Sequence, residues 1–207
     1  MKKYLVEFIG TFFLVFTIGN TVISPGAGAL APLAIGASLM VMIFAGGHVS
    51  GGHFNPAVTL AVWMRGRCPT VDVIPYWLAQ VLAAVIAAWL VHFIKLPNVP
   101  LMPPIGWKAA LLVEFLFTFA LAWVVLNTAT AKGTANNSFY GLAIGMTVMT
   151  GAFAVGGISG GAFNPAVAVG ITLMGLSSWG NFWLFLVGNF GGAAVAALTY
   201  KVVNGDE

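Results

Sequence analysis

The sequence predicts an all-α membrane protein, in which six transmembrane helices and two re-entrant half-helices form an inverted repeat. Three observations lead to this fold class. The chain carries very little charge, six of its apolar runs are long enough to cross a bilayer, and one Gly-rich motif occurs twice. That motif reads Gly-Gly-x-Phe-Asn-Pro-Ala-Val at 51–58 and again at 160–167.

The composition excludes a soluble protein. Hydrophobic residues make up 60% of the 207 residues and charged residues only 6%, whereas a soluble domain is about 25% charged. The net charge of +3 reflects a scarcity of acids, with lysines and arginines spread along the chain, so nucleic acid is not an expected partner. The single cysteine, Cys68, excludes an internal disulfide and a multi-cysteine metal site. We expect no metal and no cofactor, and membrane lipid as the surroundings.

The membrane spans follow from the length of the apolar runs, because a spanning helix needs about 20 residues. Suitable runs lie at 4–24, 32–49, 74–94, 108–127, 139–156 and 180–201. Two further apolar segments, 55–64 and 164–174, would each cover only about half of the hydrocarbon thickness. Connections rich in Gly and Pro separate the runs, among them the one that contains Pro97, Pro100, Pro103 and Pro104.

Each half of the chain then holds three spans and one half-helix, within a single channel domain over 1–207. Repeat 1 covers about 4–96 and repeat 2 about 107–203. Because three is odd, the second half must cross the membrane upside down relative to the first. With both termini cytoplasmic, the cytoplasmic cations outnumber the external pair, Lys95 and Lys108, as the positive-inside rule requires. The cytoplasmic cations are Lys2, Lys3, Arg65, Arg67, Lys132 and Lys201. Short termini favour a prokaryotic inner membrane.

The repeated Asn-Pro-Ala sequence predicts a pore. Asn is a favoured helix N-cap and Pro a favoured first helical residue, so each motif opens a half-helix. A helix N-terminus carries roughly +0.5 charge, and two such ends facing one constriction repel cations. Irregular backbone at membrane depth is tolerated where it lines a cavity or is buried in protein. We expect the Asn amides to donate to a passing solute. The pore motifs are Asn55, Pro56, Ala57, Asn164, Pro165 and Ala166.

Glu7 and Glu114 are the acids within the predicted spans, at nearly equivalent places in the two repeats. A carboxylate in a membrane span is by default a functional candidate, as a proton relay or an ion site. The favoured alternative is that each carboxylate accepts hydrogen bonds from the N–H groups of a re-entrant loop. The symmetry of the pair and the cation-repelling helix ends both favour this supporting role.

His48 and His53 flank the first loop, whereas the second half has Gly157 and Ala162 at these places. A single histidine in a pore wall is more often a hydrogen-bonding residue or a pH gate than a metal ligand. Zinc normally needs three or four protein ligands. We therefore interpret both histidines as candidates for pore lining or gating.

Two Asn-Pro-Ala loops at equivalent places in two halves resemble the aquaporin (major intrinsic protein) family over about residues 4–203. The resemblance implies the fold described above, a homotetramer, and a passive channel for water and small neutral solutes rather than an enzyme. It also places the narrowest point of the pore, the selectivity filter, at four residues. These are Ile35, Ala152, Gly161 and Val167.

The filter departs from the family pattern. Typical members have an arginine where this chain has Val167, and water-selective members have an aromatic residue and a histidine where Ile35 and Ala152 stand. Glycerol facilitators have an aspartate at the place of Ala168. We therefore expect a wide, apolar filter that passes small uncharged solutes such as glycerol, urea, ammonia or metalloid hydroxides. The alternatives are a water-selective aquaporin, and a structural or adhesive membrane protein whose pore is closed.

Overall fold

The computed structural model describes residues 1–95 and 105–205, and over that part the regular elements are helical. The prolines at 97, 100, 103 and 104, predicted to mark a connection, lie outside the described residues. The six long helices are α1 (Lys2–Val22), α2 (Ala31–Ser50), α4 (Thr70–Lys95), α5 (Trp107–Val125), α6 (Tyr140–Ser159) and α8 (Phe182–Asn204). The two short ones, α3 (Pro56–Met64) and α7 (Pro165–Leu173), have 9 residues each.

The long helices have the length and apolar character that a membrane span requires, and there are 6 of them in the described ranges. The protein is therefore an integral membrane protein, and the predicted fold class is confirmed. The bounds of the helices differ from the predicted runs by a few residues. The largest extension is at the start of α4, which begins at Thr70 and not at residue 74. The last residue of α5 is followed by a π-helical turn, Leu126–Thr130.

The helices pack in equivalent pairs from the two halves of the chain. Helix α1 packs on α2 and α4, as α5 packs on α6 and α8. Each half-helix packs mainly on a long helix of the other half of the chain. Helix α3 of the first half packs on α8, and α7 of the second half packs on α4. The two halves are thus held together by each other's half-helix, which brings both loops to one place in the bundle.

Glycines allow α5 and α8 to touch through their backbones. A Cβ atom placed on Gly192 would lie 2.3 Å from the carbonyl oxygen of Phe115, and one on Gly188 would lie 2.9 Å from Cβ of Glu114. Small residues at such a spacing are typical of close helix contacts in membranes. The contact fixes the distance between Glu114 and α8.

We expect Gly192→Ala to lower the midpoint of thermal unfolding in detergent, because the added methyl group forces α5 and α8 apart. Overpacking of this kind typically costs about 1–3 kcal/mol. The neighbouring Gly191 provides a matched control, since its Cβ would lie 3.4 Å from the Phe115 ring, an ordinary contact. Gly191→Ala should leave the midpoint unchanged or raise it. Equal losses in the two variants would contradict the close backbone contact.

Candidate functional site

Both half-helices begin at the asparagine of the repeated motif. Asn55 Oδ1 accepts hydrogen bonds from the backbone N–H groups of Ala57 and Val58 at 2.9 and 3.4 Å. Asn164 Oδ1 accepts from the equivalent pair in α7 at the same distances. The proline after each asparagine is the first helical residue and has no N–H to leave unpaired. The side-chain amide oxygen of each asparagine is therefore used by the helix cap, and its NH2 group is left to donate to another partner.

The two loops bind each other through those NH2 groups. Asn55 Nδ2 donates to the carbonyl oxygen of Phe163, and Asn164 Nδ2 donates to that of Phe54, both at 2.8 Å. An amide NH2 carries two hydrogens, so one on each asparagine remains for a solute. No local pattern in the sequence indicates this pair of reciprocal bonds, because the bonded residues are 108 and 110 positions apart.

Each loop reaches its half-helix through left-handed backbone. The two glycines before each motif have φ between 64° and 95°, and the phenylalanines at the loop tips, Phe54 and Phe163, have φ of 48° and 47°. Such values are uncommon for residues other than glycine and need support from their surroundings. This backbone turns successive N–H groups inward, toward a buried carboxylate behind each loop.

The carboxylate behind the first loop is that of Glu7, which is fully buried. Its Oε1 accepts from the Ser50 hydroxyl at 2.7 Å and the His53 backbone N–H at 2.9 Å. Its Oε2 accepts from the Phe54 N–H at 2.6 Å and from Nε2 of Gln80 at 2.8 Å. A carboxylate has about four acceptor positions, and here four donors occupy them.

Glu114 repeats this arrangement behind the second loop and is also fully buried. Its Oε1 accepts from the Ser159 hydroxyl at 2.7 Å and the Ala162 N–H at 2.9 Å. Its Oε2 accepts from the Phe163 N–H and from Asn189 Nδ2, both at 2.8 Å. The equivalence of the two sites extends from the loops to the helices behind them.

Gln80 and Asn189, the amide donors to the two carboxylates, are not among the site residues predicted from the sequence. Both are fully buried, and each also donates to a threonine hydroxyl on a neighbouring helix. Their signal in the sequence is a single amide residue inside an apolar span, at the same place in each repeat. A search of the two halves for matching polar residues would have found them.

A small cavity lies where the loop tips meet, and we call it the narrow section. Its volume is about 20 Å³, and a water molecule needs roughly 10–15 Å³ by such a measure, so it has room for about one water. The polar side chains in its wall are His53, Asn55 and Asn164. Its apolar residues include equivalent pairs from the two halves, such as Leu14 with Leu121, Ile35 with Ile144, and Val58 with Val167.

The structure brings three of the four expected filter residues together. Ile35, Gly161 and Val167 all line the narrow section, and Val167 is only 3% exposed. Ala152 is half-buried on α6 and does not line it, whereas Val148, one helical turn earlier, does. The three expected filter residues that meet here contribute no polar side chain to a section that encloses little space.

A larger cavity of about 770 Å³ opens beside the narrow section, and we call it the vestibule. The C-terminal end of α2, the first loop, the start of α4 and the segment between α5 and α6 form its wall. Lys3 pairs with Asp72 at 2.5 Å, and the Tyr4 hydroxyl donates to the same carboxylate at 2.7 Å. The lysine and arginine residues in the wall outnumber its one carboxylate, that of Asp72. They are Lys3, Arg67 and Lys132.

The two candidate histidines have different positions. His48 lies in the last turn of α2, is exposed, and lines the vestibule alone. His53 is 8% exposed and lines both the vestibule and the narrow section. Only His53 is therefore placed to contact a molecule that passes from one cavity to the other.

The fold and the paired loops are those of a helical membrane channel. The family sequence model described as Major intrinsic protein matches residues 1–200, and the chain belongs to this family. Members of the family are channels, and the protein is therefore not an enzyme.

The chain aligns with relatives in the family over nearly its whole length. Aquaporin NIP1-4 of Oryza sativa subsp. japonica is 36% identical over 98% of this chain and 77% of its own length. Glycerol uptake facilitator protein-like 6 of Lactiplantibacillus plantarum is also 36% identical, over 100% of both chains. The fold matches the crystal structure of the aquaglyceroporin from Plasmodium falciparum with a TM-score of 0.80, over 98% of this chain and 96% of that one, at 22% identity.

Proposed function

We propose that the protein passes small uncharged solutes by diffusion between its two Asn-Pro-Ala loops, through a filter without a fixed cation. The observation that carries this proposal is the narrow section, where Asn55 and Asn164 each offer a free amide hydrogen in a wall that is apolar at its other side chains except His53. A solute oxygen accepts those hydrogens as it passes. Relatives named as an aquaporin and as a glycerol uptake facilitator-like protein support water and glycerol as solutes.

Cation exclusion rests on the half-helices in this proposal. The N-termini of α3 and α7 meet at the narrow section, and each carries a positive partial charge. Val167 adds no charge at the filter, so the helix ends and the apolar wall form the barrier. Each solute must be neutral and able to shed part of its hydration shell.

Glu7 and Glu114 act in this proposal as supports for the loops and not as proton relays. All four acceptor positions of each carboxylate are occupied by donors that belong to its own loop and the helices behind it. A relay would need a position open to the pore. We further propose that the two repeats form one channel domain, that four copies assemble, and that both termini are cytoplasmic in a prokaryotic inner membrane.

Water alone is the competing solute class, because the narrow section has a volume of only about 20 Å³. Stopped-flow light scattering on proteoliposomes distinguishes a channel for water alone from a channel that also passes larger neutral solutes. Vesicles are shrunk in sucrose, glycerol or urea, with empty liposomes as the control. Rapid re-swelling in glycerol or urea supports the broader proposal. Water flux without re-swelling favours a water channel, and no flux of either kind would contradict a conducting pore.

A further inference from the structure

A groove lies on the outer surface of the bundle between α5 and α8. Its volume is about 350 Å³, and its wall consists of side chains from residues 107–115 of α5 together with Val187 and Gly188 of α8. No residue of this wall belongs to the wall of the vestibule or of the narrow section. The groove is therefore separate from the pore, and no part of the proposed function uses it.

The wall of the groove is apolar along most of its length. Leu111, Leu112 and Phe115 form its α5 side. Leu112 and Val187 are exposed, and Gly188 lets α8 lie close to α5 at the bottom. At 1.5 Å per residue the α5 side extends about 12 Å, which is most of the roughly 15 Å that one leaflet contributes to the hydrocarbon core. Because an empty space against such a wall forfeits dispersion contacts, a lipid acyl chain fills it in a bilayer.

A lysine and two tryptophans lie at one end of the groove. Lys108 and Trp107 belong to its wall, and Lys108 Nζ lies 5.5 Å from the centroid of the Trp107 ring. The ring of Trp183, in the first turn of α8, lies 6.3 Å from that of Trp107. Tryptophan is enriched at the level of the lipid headgroups, and a lysine near a helix end extends its ammonium group to the same level. The groove therefore has a cation where a headgroup would lie and an apolar wall where an acyl chain would lie.

The protein itself offers no carboxylate for Lys108. Within residues 1–95 and 105–205, Lys108 has no ion pair, and the whole chain has only 5 acidic residues. Two of these follow the last residue of α8 in the chain, whereas Lys108 lies near the first turn of that helix. The other three are buried and already accept hydrogen bonds within the chain: Glu7, Asp72 and Glu114. A second copy in the same membrane orientation would therefore bring no carboxylate from its described residues to Lys108, whereas a lipid phosphate supplies the missing anion.

We propose that the groove is a binding site for an anionic phospholipid, whose phosphate contacts Lys108 and one of whose acyl chains lies between α5 and α8. The bound lipid contacts both helices beside the place where Gly188 approaches Glu114, so it adds to the packing that holds α5 and α8 together. The inference does not depend on which solute the pore passes, or on whether the pore conducts.

Native mass spectrometry of the full chain in detergent counts the bound lipids and measures the affinity of the tightest site. The protein is titrated with phosphatidylglycerol, which is anionic, or with phosphatidylcholine of the same acyl chains, which has no net charge. We expect the wild type to prefer phosphatidylglycerol about fivefold, as one lysine at a membrane surface contributes, and Lys108→Gln to abolish the preference. Lys95→Gln is the matched control, because Lys95 ends α4 and does not line the groove, so the preference should persist.

A second pair of variants tests the position of the acyl chain. Val187→Trp fills the groove and should weaken the binding of both lipids at least about fourfold, the equivalent of one buried CH2 group. Val195→Trp, at an exposed position of α8 outside the groove, should not. Equal affinities of the wild type for the two lipids, a preference that survives Lys108→Gln, or unchanged binding to Val187→Trp would each overturn the inference. The same spectra give the mass of the assembly, and if Val187→Trp changes the number of copies, the groove is a contact between copies and the lipid site is refuted.

Discussion

Glu114→Gln is expected to release the second re-entrant loop and to abolish solute flux. Glutamine has one acceptor oxygen and one NH2 group, so about two of the four donors around Glu114 lose their partner. Hydrogen bonds to a charged group contribute about 1.5–3 kcal/mol each, and the loss of two should lower the free energy of unfolding by roughly 3 kcal/mol or more. Thermal unfolding in detergent and flux in proteoliposomes measure the two effects.

Glu7→Gln should have the same effect, because its carboxylate accepts an equivalent set of four hydrogen bonds. Thr150→Val is the negative control, since this exposed hydroxyl on α6 donates only to the Met146 carbonyl, within its own helix. If Glu114→Gln retained full stability and flux while abolishing a proton current, the supporting role would be wrong and a proton relay would replace it.

Val167→Arg is expected to reduce glycerol and urea re-swelling at least about tenfold, because a guanidinium group is larger than the space in the narrow section. Val167 is 3% exposed and lies beside Ile35 and Gly161 in a cavity of about 20 Å³. The added charge also lies near the positive N-terminus of α7, which strengthens the barrier to cations. Flux of each solute is compared at equal amounts of protein per vesicle.

Val167→Ala is the control for the arginine variant. It removes two methyl groups from the same position and should maintain or increase the flux of glycerol and urea. If Val167→Arg and Val167→Ala conduct alike, position 167 does not limit the passage of solutes, and the filter must lie elsewhere in the pore.

The fold could be predicted because its determinants are local or repeated. Span length follows from the hydropathy of single segments, and the short segments 55–64 and 164–174 are recognisable as half-helices by their length alone. The capping roles of Asn55 and Asn164 depend on the residues that follow directly in the chain. Such features do not depend on the rest of the fold.

The parts of the site that were missed depend on how helices are oriented. Val148 and Ala152 lie on the same face of α6, one turn apart, or about 5.4 Å along the axis. An alignment that counts back from Asn164 does not show which of them lines a cavity that five other helices and both loops also enclose. The cross-loop bonds from Asn55 and Asn164 likewise require both loops to be in place, so neither half alone predicts them.

Blocking the pore chemically tests most directly whether solutes pass between the two loops. Cys68 is the one cysteine of the chain and is buried. Burial raises the pKa of its thiol. The substitution Cys68→Ser removes this thiol, so that an introduced cysteine is the one that reacts. Proteins that carry Val167→Cys or Leu198→Cys in this background are then treated with an uncharged benzyl reagent that reacts with thiols. Leu198 is the control, because it is 55% exposed on the outer surface of α8. Mass spectrometry follows the extent of modification.

Modification of the Val167→Cys protein is expected to reduce solute flux to that of empty liposomes, whereas modification of the Leu198→Cys protein should leave flux unchanged. Undiminished flux through a fully modified Val167→Cys protein would contradict a pore between the two loops, and so would a conducting protein whose introduced thiol the reagent never reaches.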